Sequence, residues 1–212
     1  MDQVKRITNI ASRKENKFFY FDIETSGFDG NKDFVDEISF IRPSTGKAEK
    51  ISMFIGDVSF PQNVADLRNL TKEDVNDIKF NTNGSRVSVK EGISKFLRIM
   101  QEEKNKFGDD LVITGHNIEK FDIDFLSKNS KLLGLNFSFN HNTLDTLELA
   151  KTVYGNSLPN NKLSTLYEYL TGKKADNAHD SINDILFNKA VLEKTSGRIK
   201  TIDSFYELKK LI

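Results

Sequence analysis

The stretch Phe18-Phe19-Tyr20-Phe21-Asp22-Ile23-Glu24-Thr25-Ser26-Gly27 constrains this chain more than any other. Its aromatic run, closed by a β-branched residue, predicts a short buried strand over residues 17–23. Two carboxylates then stand where the strand should end. A bare Asp-x-Glu arises by chance about once in a chain of this size, usually on a solvated strand edge. Four aromatic residues in front of Asp22 make a solvated edge a poor account here. An unpaired buried carboxylate costs several kcal/mol, or is neutralised by a pKa shift. A divalent cation offsets that cost. Side chains two apart on a strand share a face, so Asp22 and Glu24 can serve one ion. The turn Thr25-Ser26-Gly27 then lets a ligand approach the backbone closely.

Two further strands are predicted over 34–42 and 47–55, joined by the turn Pro43-Ser44-Thr45-Gly46. Thr71 with Asp74 reads as a helix N-cap followed by an acid at the third position. Ile93, Phe96, Leu97 and Met100 repeat at helical spacing within 88–106, and Gly108 ends that helix. A buried strand is predicted at 110–115. Helices are predicted near 120–133, 143–154, 162–171, 180–195 and 202–211. Three early strands, then one strand among helices, predict a single α/β domain with a mixed central sheet. The absence of cysteine excludes disulfides, Cys-based zinc sites and a thiol nucleophile. The polar N-terminus does not read as a signal peptide, and no apolar run reaches a membrane span, so a soluble, cytoplasmic protein is expected. The 31 basic and 31 acidic residues balance. That argues against coating nucleic acid by bulk charge, but allows a local basic rim.

Two other acids fall at places where charge needs a reason. Asp122 begins a helix whose packing face is Phe121, Phe125 and Leu126. Taken alone, it reads as a first-turn acid offsetting the helix dipole. Asp124 points away from that face and reads as surface. Asp184 lies one turn inside a helix, beside an apolar stripe of Ile182, Ile185, Leu186 and Leu192, where a charge is expensive unless paired or bound to metal. His179 precedes that helix by a few residues. His116 and His141 read as ordinary surface or satisfied histidines.

Together these pieces resemble the three motifs of the DEDD exonuclease superfamily in its histidine (DEDDh, DnaQ-like) branch. Asp22-Ile23-Glu24-Thr25-Ser26-Gly27 resembles the first motif. His116-Asn117 followed by Phe121-Asp122-Ile123-Asp124-Phe125-Leu126 resembles the second, and His179 with Asp184 the third. Three residues separate Asn117 from Phe121, a spacing more like the animal repair exonucleases than the bacterial proofreading subunit. Phe34 to Ile38, Leu70 to Val75 and Asp145 to Lys151 also resemble family segments. No Tyr-x-x-x-Asp occurs, which excludes the tyrosine branch.

The resemblance implies an RNase H-like fold and removal of 5′-mononucleotides one at a time from the 3′ ends of DNA or RNA. It implies two Mg2+ or Mn2+ ions held by Asp22, Glu24, Asp122 and Asp184, with His179 as general base. Substrate contacts are expected from Thr25, Ser26, Gly27, Phe28, His116 and Asn117, and phosphate contacts from Lys120, Lys162, Lys173 or Lys174. The expected organisation is an N-terminal extension over 1–16, an exonuclease domain over 17–195, and a C-terminal helix over 196–212 that packs on the domain or docks a partner. A polymerase or a second copy of the chain is a candidate partner, and no membrane is. The competing readings are a silent nucleic-acid or protein-binding module of the same fold, and a proofreading subunit that needs a polymerase.

Overall fold

A computed structural model describes residues 10–11, 16–155, 157–176 and 180–200. Six strands, β1 (Lys17–Thr25), β2 (Val35–Ile41), β3 (Ala48–Phe54), β4 (Val87–Ser88), β5 (Leu111–Gly115) and β6 (Asn142–Asp145), form one sheet in the order β4-β3-β2-β1-β5-β6. β1 runs antiparallel to β2 and parallel to β5. The helices are α1 (Gln62–Leu67), α2 (Lys72–Phe80), α3 (Val89–Phe107), α4 (Asp122–Leu132), α5 (Thr146–Tyr154), α6 (Leu163–Thr171) and α7 (Ser181–Lys200). This is a mixed α/β, RNase H-like architecture, as the motifs imply. No helix among the described residues is long and apolar enough to cross a membrane.

Alternation along β1 sends its side chains to two different layers. Phe19 and Phe21 point to one face, where Phe40 of β2 stacks on Phe19 at 5.8 Å and Phe96 of α3 meets Phe21 at 5.2 Å. Ile93 and Met100 of α3 complete that layer, on the periodicity read from the sequence. Tyr20 points the other way, into a second cluster with Val112, Leu149, Leu166, Ile185 and Leu192. β1 is therefore covered on both faces, by α3 and by α7. Asp22 and Glu24 continue the Tyr20 face, toward α7.

Local signals act where the sequence places them. Thr71 caps α2 by accepting from the Asp74 N–H, and Asp74 accepts in return from the Thr71 N–H. The Arg42–Gly46 turn closes with Gly46 in the left-handed region at φ 67°. Four elements differ from expectation. Residues 142–145 are a strand rather than the start of a helix. Thr143 and Leu144 lie beside Ile113 and Thr114 of β5, and Asp145 stops the strand by capping α5 through the Leu147 N–H at 2.9 Å. The short α1 and β4 carry too few residues to show a period. α7 runs through Lys200, past the predicted end near 195. Its stripe also differs, because Leu186 is 44% exposed while Phe187 is buried instead. Ala11, within the predicted N-terminal extension, is buried in the second cluster. The predicted helix over 202–211 lies outside the described residues.

Asn129 on α4 fixes the loop between β1 and β2. Fully buried, it accepts from the Val35 N–H and donates to the Gly30 and Asp33 carbonyls, each at 3.0 Å. Replacing it with Ala strands one donor and two acceptors in the interior, at about 1–3 kcal/mol for each group left unmade. Asn129→Ala is expected to lower unfolding stability by about 3 kcal/mol in urea titrations. A loss below about 1 kcal/mol would show that the loop is held by something else.

Candidate active site

The parallel pairing of β1 with β5 ends at Tyr20 opposite Thr114. Asp22 and Glu24 extend beyond it, into the crevice at the carboxyl ends of these strands, where α/β sheets bind ligands. Asp22, Glu24 and Asp184 each present an oxygen within 4.8 Å of the others. Asp122 joins them from α4, its Oδ1 accepting from the Ile23 N–H at 3.1 Å. The first-turn acid is thus tied to the backbone between the two strand acids rather than merely offsetting a dipole. All four line one cavity of about 160 Å³. Asp124 is exposed and pairs with Lys128, as expected of a surface acid.

Asp184 reaches this point through the start of α7. The cross-strand partners of Asp22 and Glu24 on β2 are Ser39 and Glu37. Ser181, the first residue of α7, donates to Glu37 and shares a hydrogen bond of 2.6 Å with Ser39. Lys50 of β3 pairs with the other Glu37 oxygen at 3.1 Å. The two β2 residues opposite the strand acids therefore pin the helix that carries Asp184 one turn later. His179 lies outside the described residues.

The remaining candidates sit around the acids. Phe28 lines the same cavity and is 62% exposed, so it is not a core phenylalanine. Leu67, at the end of α1, also lines it and is 46% exposed. His116 and Asn117 line this cavity and an adjoining one of about 590 Å³ that Lys151 and Lys162 also face. Asn117 adopts a left-handed turn at φ 66°, and its N–H donates to Asp145 Oδ1 at 3.0 Å. Thr146 bonds the His116 Nδ1 at 3.1 Å. Burial pulls the His116 pKa down to about 4, so its ring is neutral near pH 7. The Thr25 and Ser26 hydroxyls are used within the loop, Thr25 donating to the Gly27 carbonyl and Ser26 accepting from the Phe34 N–H. A side chain at Gly27 would meet the Asp33 carboxylate at 2.2 Å, so that glycine answers a close approach. Lys120 pairs loosely with Glu148 at 3.9 Å. Lys173 and Lys174 line neither cavity. His141 also lines neither, and packs on Phe139 at 5.0 Å.

Sequence reasoning missed Arg68. Its guanidinium lies 3.1 Å from Glu24 Oε2 and 2.8 Å from Asp36, with only 7% of the side chain exposed. Nothing local in Leu67-Arg68-Asn69 announces this. Asp36 and Glu37 did carry a signal, because two acids sit inside a strand that is buried throughout.

Crowding and burial perturb the acids in one direction. Burial, followed by the charges of Asp122, Glu24 and Asp184, raises the Asp22 pKa well above the carboxylate range. Burial raises Asp122 to about 8, against the pull of the Ile23 N–H. Burial raises Glu24 to about 8 as well, with Arg68 opposing it. Hard carboxylate oxygens at this spacing, which resist ionising together, fit a divalent cation.

A raised folded-state pKa binds protons that the unfolded chain has released. The contribution of these acids to stability is therefore full below about pH 4 and is lost as pH rises toward 8. In chelator, the melting temperature is expected to fall between about pH 5 and pH 8 from this cluster. Mg2+ or Mn2+ should restore it most at the high end and displace protons on binding. A metal-induced shift independent of pH, measured by thermal melts, would contradict the raised pKa values of these acids.

Comparison with known proteins agrees with the geometry. The exonuclease (RNase T) family profile matches residues 19–192. The PolC-type DNA polymerase III of Clostridium perfringens is 25% identical over 199 residues, covering 93% of this chain and 12% of that protein. The Pediococcus pentosaceus PolC-type polymerase is 30% identical over 174 residues, covering 81% of this chain and 11% of that one. This chain thus spans about an eighth of those relatives' length. Among solved structures, a zinc-bound complex of Escherichia coli exonuclease I with single-stranded DNA has a TM-score of 0.68 at 16% identity, covering 92% of this chain and 42% of that one. These relatives are bacterial, and the left-handed turn at Asn117 lies in the Asn117–Phe121 loop. The profile spans all the acids, and the chain belongs to the exonuclease (RNase T) family, with a fold shared with exonuclease I.

Proposed function

We propose that this chain hydrolyses single-stranded or frayed 3′ ends, releasing 5′-mononucleotides with the help of two Mg2+ or Mn2+ ions. One observation carries the reading: four carboxylates from three separated stretches converge on one cavity beside an exposed phenylalanine. A silent binding module has no use for that costly arrangement. The matched PolC-type relatives and the single-stranded DNA in the exonuclease I complex favour DNA over RNA as the faster substrate. The same relatives favour, as a second reading, a proofreading unit that works beside a polymerase.

Asp22, Glu24, Asp122 and Asp184 would hold the ions. Two such ions supply Lewis-acid stabilisation of the attacking and leaving oxygens of an in-line phosphoryl displacement. The chain's own residues do the rest. Phe28 stacks on the terminal base, a contact available to every base, with Leu67 as a second apolar surface. The backbone at Thr25 to Gly27 holds the terminal sugar. Neutral His116 and Asn117 line the path of the preceding nucleotides, where Lys151 and Lys162 offset phosphate charge. His179 takes the proton from the attacking water, since its ordinary pKa lies near working pH. The proton returns to the 3′ oxygen of the shortened strand, and the phosphate leaves on the released nucleotide.

Matched 5′-labelled DNA and RNA strands, with Mg2+, Mn2+ or chelator, test the reading. A one-nucleotide ladder is expected that requires metal, runs faster on DNA and disappears in Asp22→Ala/Glu24→Ala. Folded wild-type protein that yields no ladder on either strand would overturn it. Phe28→Ala is expected to weaken oligonucleotide binding roughly 5- to 100-fold, from the loss of one stacked base. Unchanged KM in that variant would remove Phe28 from the substrate path.

A further inference from the structure

We propose that Arg68 and Asp36 form a positioning device for Glu24, locking its carboxylate and so setting how tightly the acid cluster holds a divalent cation. The proposal rests on the metal-dependent reading above. It begins with a ladder irregularity. Glu24 lies opposite Glu37, yet the next residue, Thr25, lies opposite Val35. Asp36 is therefore the extra residue of a β-bulge. Strict alternation from Phe40 and Ile38 would send the Asp36 side chain into the phenylalanine layer. Val35 takes that place instead, and Asp36 is turned away. Bulges beside functional sites serve to re-aim a side chain in this manner.

What Asp36 meets is a planar fork. Arg68 Nη1 and Nη2 bind its two oxygens, each at 2.8 Å, with Asp36 fully buried. That grip fixes the plane of the guanidinium. Its Nε then lies 3.1 Å from Glu24 Oε2 as an ion pair, and Nη1 also donates to the Thr25 carbonyl at 3.2 Å. The Phe60 ring lies 5.8 Å from the guanidinium carbon. One fork thus ties α1, the β2 bulge and the end of β1 to a single acid. A cation fixed against the Glu24 carboxylate restricts where that group can sit, and an oxygen of Glu24 lies within 4.8 Å of oxygens of Asp22 and Asp184. A pair serving the fold alone has no need of the third contact, because buried ion pairs contribute little beyond what well-packed apolar residues would. Groups that orient metal ligands from behind typically change metal affinity or activity by about 10- to 100-fold when removed.

Mn2+ titration of the full chain by calorimetry and electron paramagnetic resonance tests this. The samples are wild type, Arg68→Lys and the double variant Asp36→Leu/Arg68→Met. Lysine keeps the charge but cannot grip Asp36 with a fork while reaching Glu24. The double variant removes both buried charges together, so it decides the matter if Arg68→Lys fails to fold. Folded variants are expected to bind Mn2+ about 10- to 100-fold more weakly. On oligonucleotide, kcat should fall while KM stays near wild type. Folded variants that hold Mn2+ within about threefold of wild type would overturn the device and leave the metal-dependent reading intact. Wild-type protein that binds no Mn2+ would overturn both.

Discussion

Mutual repulsion among buried carboxylates is the constraint that the rest of this structure accommodates. Asp22, Glu24 and Asp184 bring oxygens within 4.8 Å of one another, and Asp122 shares their cavity. At that spacing two full charges repel by about 3 kcal/mol at an effective dielectric constant near 20. Flexible side chains on a loose backbone would move apart. Each acid here is held by a different means. Asp22 and Glu24 ride a strand covered on both faces. Asp122 is bound to the Ile23 N–H between them, and Asp184 follows a helix start pinned to β2. The cost of gathering charge is met by rigidity, which keeps the oxygens where a cation can use them.

The sheet divides that work between its faces. Phe19, Phe21, Phe40 and Phe96 fill one side of β1 and β2 with interlocked rings. That layer takes no part in the chemistry, and it sets the plane and twist from which the opposite face projects. On the opposite face, β2 mirrors β1 residue for residue. Ser39 lies opposite Asp22 and Glu37 opposite Glu24, and both reach Ser181. One bulge later Asp36 reaches Arg68. The second strand is thus a scaffold for the acids of the first.

Much of this was legible in the residues, and the gaps have physical causes. The β1 strand, the α3 stripe, the Thr71 cap and the separation of Asp122 from Asp124 followed from local period and charge. β6 was hidden because four residues that pair beside β5 look like the first turn of the helix they precede. Leu186 was placed on the wrong side of α7 because its stripe shares that helix with buried polar residues such as Asn188, which dilute the apolar period. Arg68 was invisible for a deeper reason. Its role depends on Asp36, 32 positions earlier, being turned by a bulge, and no local pattern encodes a meeting at that range. Asp36 and Glu37 were visible by the reasoning applied to Asp22: a charge inside a buried strand implies a partner elsewhere.

Charge balance over the whole chain conceals an uneven distribution that bears on the order of events. The 31 acidic and 31 basic residues cancel, yet four acids and Arg68 line the inner cavity, while Lys151 and Lys162 face the larger one beside it, which Asp22 and Asp184 also line. On the proposed reading, a strand of phosphates must bring its terminal link against that acidic cluster. Without cations, like charges oppose the final approach, and the lysines can favour only the preceding phosphates. Partly protonated acids would lessen the repulsion but would also lack the charge that holds an ion. Divalent cations would resolve both difficulties at once, since they would displace the bound protons and reverse the local field. The acids therefore favour cation binding before, or together with, the seating of the 3′ end, and Arg68, already committed to Asp36 and Glu24, adds fixed order to the cluster without competing for the phosphate.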